Sequence, residues 1–188
     1  MKNKLTSLIL ILTIIYFALF SIKLYAKDPL SIAKEGDKII FIRHALAPGG
    51  GDPSGFKIDD CKTQRNLNRV GIQQSKNIGK LFKNNKIPVD KVLSSQWCRC
   101  KDTAKYAFKN YFEFSALNST FQSAFAKNEP KQLKQLQTFV NNWDGDGGNL
   151  VLITHYSIIT AITNAVPSSG EIVITDKKFN VLGTIPTD

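Results

Sequence analysis

The sequence predicts an α/β fold, a three-layer αβα sandwich around a mostly parallel central sheet. Two observations carry the fold class. Short apolar runs rich in β-branched residues recur at 38–42, 89–93, 150–153 and 171–175, as expected of strands covered on both faces. Between them lie segments whose apolar residues repeat at helical spacing. A third observation bounds the size: 188 residues with 43% hydrophobic content form one domain with its own core.

The first 26 residues stand apart. Lys2 and Lys4 precede an uncharged stretch from Leu5 to Ile22, followed by Lys23-Leu24-Tyr25-Ala26. This is the pattern of a signal peptide over 1–26, cut after Ala26. An uncleaved membrane anchor stays open beside it, because Leu24 stands where a small residue is preferred and about 18 apolar residues nearly span a bilayer. Either way residues 27–188 are expected to be an exported domain. Without the leader's lysines the net charge falls from +10 to +7, with 22 basic against 15 acidic residues. A basic surface attracts anions. The lysines are scattered and no nucleic-acid-binding motif accompanies them, so nucleic acid is not the expected partner.

From residue 38 the elements follow in order. Lys38 to Ile42 reads as the first strand and runs directly into Arg43-His44. Asn68 can cap a helix to about Lys83, with Gly71, Ser75, Ile78 and Phe82 on one face. Val89 to Leu93 is a second strand, ending in Ser94-Ser95. A helix near Arg99 follows, with Cys100, Thr103, Ala104, Ala107 and Phe108 as its apolar stripe. Pro130 can open another, striped by Leu133, Leu136, Val140 and Trp143, and broken by "DGDGGN" at 144–149. Leu150 to Ile153 is the third strand and leads into Thr154-His155. Ser157 is expected to cap an apolar helix to about Ala165, stopped by Pro167. Glu171 to Thr175 completes the set as a fourth strand.

The chemistry sits where such folds bind ligands, beyond the carboxyl ends of the strands. Both histidines, His44 and His155, and two arginines, Arg43 and Arg99, are predicted at one edge of one sheet. Arg99 falls in the first turn of a helix, against the helix dipole, and so needs a reason to be there. Guanidinium forks match phosphoryl oxygens. A neutral imidazole can attack phosphorus, and a second can donate to the developing charge. The combination asks for no metal or cofactor.

These residues resemble a known family. "FIRHA" at 41–45, "LSSQWCRCKDTA" at 93–104 and "VLITHYS" at 151–157 are similar to the three signatures of the histidine phosphatase superfamily, also called phosphoglycerate mutase-like. "QRNLNRVGIQQSKNIG" resembles a further segment, and the likeness covers about 38–176 in order. The resemblance implies a phosphoglycerate mutase-like fold, with His44 as nucleophile and Arg43, Arg99 and His155 holding the phosphoryl group. Arg65, in the loop after the nucleophile, is a further candidate anion ligand.

Two departures bear on the proton donor. The family's glutamate segment reads "ALNSTF" at 116–121, without an acid, and Tyr156 follows His155 where one branch has Asp or Glu. The general acid is therefore unassigned, with Asp52, Asp59, Asp60, Glu129 and Glu171 as candidates. A substrate with a good leaving group would need no strong acid. Small bacterial members without the glutamate act on phosphohistidine in proteins or on heptose phosphates of lipopolysaccharide, and an export signal favours the second. The expected partner is thus a phosphorylated small molecule or an envelope glycan or lipid phosphate, with a membrane involved only if the leader stays uncleaved. The expected location is the periplasm, or anchorage at the inner membrane. A binding protein that keeps the pocket without turnover is the alternative.

Two further features complete the sequence. The loop 45–67 is glycine-rich and follows the nucleophile, either as a wall of the site or as a connection. Cys61 and Cys98 are expected to form a disulfide, leaving Cys100 buried and reduced, because Cys98 and Cys100 at a helix start point to different faces.

Overall fold

The computed structural model describes residues 27–187. The leader read at 1–26 lies outside the described residues. Among those described, no helix is long and apolar enough to cross a membrane.

The described chain opens with α1 (Pro29–Lys34), capped by Asp28, and β1 (Ile39–Arg43). Then come α2 (Arg69–Asn84), β2 (Val89–Ser94), α3 (Cys98–Phe108) and the two-residue β3 (Phe112–Glu113). The short α4 (Ser123–Ala126) and α5 (Glu129–Asn142) lead into β4 (Asn149–Thr154). The chain ends with α6 (Tyr156–Thr163), β5 (Ile172–Thr175) and β6 (Val181–Ile185). The six strands make one sheet in the order β3-β2-β4-β1-β5-β6. β1, β2, β3 and β4 are parallel neighbours. β5 runs against both β1 and β6, which makes it the one reversed strand. The α/β class and mostly parallel sheet are as predicted.

The sandwich follows from the two faces of β1. Ile40 and Ile42 join Ile78 and Phe82 of α2 and Cys100 and Ala104 of α3 in one core. Ile39 and Phe41 point the other way, into Leu136 and Val140 of α5 and Ile158 and Ile159 of α6. All four β1 residues from Ile39 to Ile42 are fully buried, each stabilising the fold by roughly 1.5–3 kcal/mol relative to exposure. Two glycines of α2 permit close packing. A side chain at Gly71 would run into the Leu46 carbonyl, and one at Gly79 into that of Ala107 on α3.

Several boundaries differ from expectation. Ser157 is not a cap: α6 begins at Tyr156 behind His155, and the Ser157 hydroxyl accepts the Thr120 N–H at 3.1 Å. The helix stops at Thr163 rather than Ala165, because Asn164 turns left-handed with φ 61°. α1, β3, α4 and β6 have no counterpart in the sequence reading; each is short or lacks a continuous apolar run.

Candidate active site

Parallel register brings the predicted residues together. Arg43 is paired with Thr154 and Ser94 with Ile153, so β1, β2 and β4 end side by side. Their next residues, His44, Ser95 and His155, therefore share one edge. Arg43, His44, Arg65, Arg99 and His155 all line one cavity of about 120 Å³, with Asp52, Phe121, Gln122 and Tyr156 among the other lining residues. The loop 45–67 is a wall of this cavity through Gly49, Gly50, Gly51, Asp52 and Arg65. Thr103 fixes its start, accepting the Ala45 N–H at 3.0 Å and donating to the Arg99 carbonyl at 2.7 Å. Gln74 holds Leu46, and Gln64 holds the Cys98 N–H at 2.9 Å.

Hydrogen bonding sets the state of each imidazole. His44 Nδ1 lies 2.8 Å from the Ala45 carbonyl oxygen, which only a protonated Nδ1 can satisfy. Nε2 therefore keeps its lone pair, and accepts from Arg99 Nε at 3.2 Å. Burial first, then the charge of Arg99, holds the His44 imidazole well below its ordinary pKa. His155 is depressed likewise, by burial and then Arg99. Its Nε2 lies 2.9 Å from Ser95 Oγ and 3.4 Å from Cys100 Sγ. The Ser95 hydroxyl reaches both His155 Nε2 and, at 3.2 Å, Asn118 Oδ1; donation to the nearer ring nitrogen makes His155 Nε2 the acceptor. That tautomer leaves the proton on Nδ1, as a donor for an anion. The two rings meet edge to face, 5.4 Å between centroids.

The arginines differ in how far they are occupied. Arg43 Nη1 donates to the Pro167 carbonyl at 2.9 Å, while its buried Nε has no partner among the described residues. A buried donor left unpaired is rare, and this one is available to an anion in the cavity. Arg65 spends Nε on the Gly51 carbonyl at 2.8 Å and Nη1 on that of Ala47. Arg99 is bound end-on by Asp52, Nη1 to Oδ1 at 2.7 Å and Nη2 to Oδ2 at 3.2 Å. Both side chains of this pair are almost wholly buried.

Of the five acids considered as proton donors, Asp52 alone lines the cavity. Asp59 is exposed, and Asp60 accepts the Lys62 N–H in a short 3₁₀ turn. Glu129 accepts from the Thr120 hydroxyl and Glu171 from the Ser168 N–H. The cysteines stand as expected: Cys61 and Cys98 are joined, with Cα atoms 5.7 Å apart, and Cys100 is buried and free. Burial pushes the Cys100 thiol up to about 12, so it stays protonated beside His155.

No family model matches the sequence. No curated protein matches it either. Solved structures do match in fold. A SixA from Agrobacterium tumefaciens aligns at 14% identity over 80% of this chain and 98% of that one, with a TM-score of 0.56. The protein histidine phosphatase SixA complexed with tungstate aligns at 15% identity over 77% and 92%, TM-score 0.52. Phosphoglycerate mutase from Thermus thermophilus aligns at 14% identity over 80% and 99%, TM-score 0.53. The chain has the phosphoglycerate mutase-like fold, a class that includes phosphatases and mutases.

Proposed function

We propose that the protein is an exported phosphatase that hydrolyses a phosphate ester or anhydride through a phosphohistidine on His44. The observation that carries this is the state of His44: a neutral ring in a cavity lined by three guanidiniums, its Nδ1–H held by the Ala45 carbonyl and its Nε2 lone pair free of protons. In the first step Nε2 bonds to phosphorus as the bond to the leaving oxygen breaks, and that oxygen takes up a proton from solvent water. In the second, water bonds to phosphorus and the P–N bond breaks, returning the lone pair to Nε2 and releasing phosphate. Arg43 Nε, Arg99 and His155 Nδ1–H are the donors for the phosphoryl oxygens. The likeness to phosphatase folds supports the same reading.

The cavity, about 120 Å³, is well below the several hundred Å³ of sites that enclose a whole small molecule. It suits a phosphoryl group whose carrier lies outside, such as a small-molecule, glycan or lipid phosphate. Export is supported by the leader pattern at 1–26 and by the disulfide, which persists in oxidising compartments.

Rapid quench of the mature domain with a labelled aryl phosphate tests the mechanism. Wild type is expected to carry acid-labile, alkali-stable phosphate, and His44→Ala to lose it along with turnover by several orders of magnitude. Saturable phosphate binding without any hydrolysis would identify the alternative, a binding protein on this fold.

A further inference from the structure

A guanidinium offers two faces on which N–H groups lie side by side: end-on, through Nη1 and Nη2, and side-on, through Nε and Nη2. In Arg99 the end-on face belongs to Asp52, at 2.7 and 3.2 Å. The side-on face turns to the nucleophile, with Nε 3.2 Å from His44 Nε2. Asp52 is itself fixed from behind. Trp97 Nε1 donates to Oδ2 at 2.9 Å, and the Arg65 backbone N–H to Oδ1 at 3.1 Å. Each carboxylate oxygen thus receives two donors.

We propose that Asp52 is a positioning residue that clamps Arg99 end-on, so that the side-on Nε and Nη2 pair meets the phosphoryl group attacked by His44. The proposal rests on the phosphatase reading above and adds a residue that the sequence offered only as a candidate acid. A carboxylate with four N–H donors is held in its ionised form, and is suited to orientation rather than proton donation. Burial raises the Asp52 carboxyl, and Arg99, Trp97 and the Arg65 backbone together more than offset this, leaving it below its ordinary value. The clamp also sets the charge of the pocket. Three guanidiniums and one carboxylate leave a charge of two, complementary to a phosphate monoester dianion. It gives Arg99 a partner that outweighs its unfavourable place in the first turn of α3.

A double-mutant cycle between Asp52→Asn and Arg99→Ala tests the clamp. Vanadate affinity is read by calorimetry, and kcat and KM with an aryl phosphate and with an alkyl phosphate, whose alkoxide is a poor leaving group. Asp52→Asn places an amide among donors and should free Arg99 to turn. It is expected to weaken vanadate binding by about tenfold or more, and to lower kcat/KM by a similar factor for both esters. In the Arg99→Ala background the same change should cost nothing further. A loss confined to the alkyl ester would make Asp52 the proton donor and overturn the clamp, as would a full loss in the Arg99→Ala background. Should Asp52→Asn not fold, Trp97→Phe removes one donor from Asp52 and keeps the ion pair. It should weaken vanadate binding in the same direction by a smaller factor, and unchanged affinity overturns the proposal. Vanadate binding needs no turnover, so a wild type that binds without hydrolysing sinks the phosphatase reading and leaves the clamp tested.

Discussion

His44 and His155 are buried neutral among three arginines, and that state has a sign in both activity and stability. Protonation of His44 would remove the lone pair the proposed reaction needs. Because burial and Arg99 hold its folded pKa well below about 6.5, the acid limb of kcat/KM should fall well below that pH. Stability behaves differently. Below about pH 6.5 the unfolded histidines take up protons that the folded ones refuse. Folding should therefore weaken as pH drops through that point, by up to roughly 1.4 kcal/mol per unit for each histidine. Urea melts between pH 7.5 and 5.5 measure the slope, and NMR titration of either ring near pH 6.5 would contradict the assignment. Arg43, His44 and His155 were legible in the sequence because strand ends fix where they fall, and Arg99 because it opens the helix that follows β2. The Asp52–Arg99 pair was not. Its members are 47 residues apart, and Asp52 lies in a loop without periodicity. The single hint was a cation in a first helical turn that lacked a counter-charge.

Among the elements, the strands with continuous apolar runs and the helices with one apolar stripe were readable, since burial on a fixed period leaves its mark. The direction of β5 was not, because a buried strand reads alike whichever way it runs. β6 opens with two exposed residues, Val181 and Leu182, and is nowhere fully buried, too weak a pattern to name. α2 shows how an element serves the site from behind. Its N-cap Asn68 accepts the Gly71 N–H at 2.8 Å, and Gly71 touches the Leu46 backbone two residues after His44. Gly71→Ala would gain helix propensity, worth up to about 1 kcal/mol, yet it drives a methyl into the Leu46 carbonyl. Overpacking at about 1–3 kcal/mol should win. The variant is expected to melt lower and to lose activity, since the displaced backbone leads straight to His44. A thermal melt at or above that of wild type would show that α2 can shift without moving the loop.

At the scale of the whole molecule, the Cys61–Cys98 bridge ties the wall of the cavity to the helix that carries Arg99. Cys61 lies four residues before Arg65, and Cys98 directly precedes Arg99. Between them run Asp52's partners as well: Trp97 lies next to Cys98 and stacks on Phe56 of the loop at 5.0 Å. The bridge closes a separation of 37 residues, which on the chain-entropy model stabilises the fold by roughly 3–4 kcal/mol. The proposed nucleophile is held elsewhere. His44 is fixed by β1, by the Thr154 carbonyl that accepts its N–H at 2.9 Å, and by Ala45 through Thr103. Reduction should therefore loosen Asp52 and Arg65 more than His44, raising KM for an aryl phosphate several-fold while kcat falls less. The melting temperature should drop in the same samples. Cys100, buried and protonated, should stay unreactive until the protein unfolds, so two thiols become available on reduction of the native protein. A reduced protein with unchanged KM would show that hydrogen bonds from Gln64 and Gln74 hold the loop unaided, and that the bridge serves stability alone.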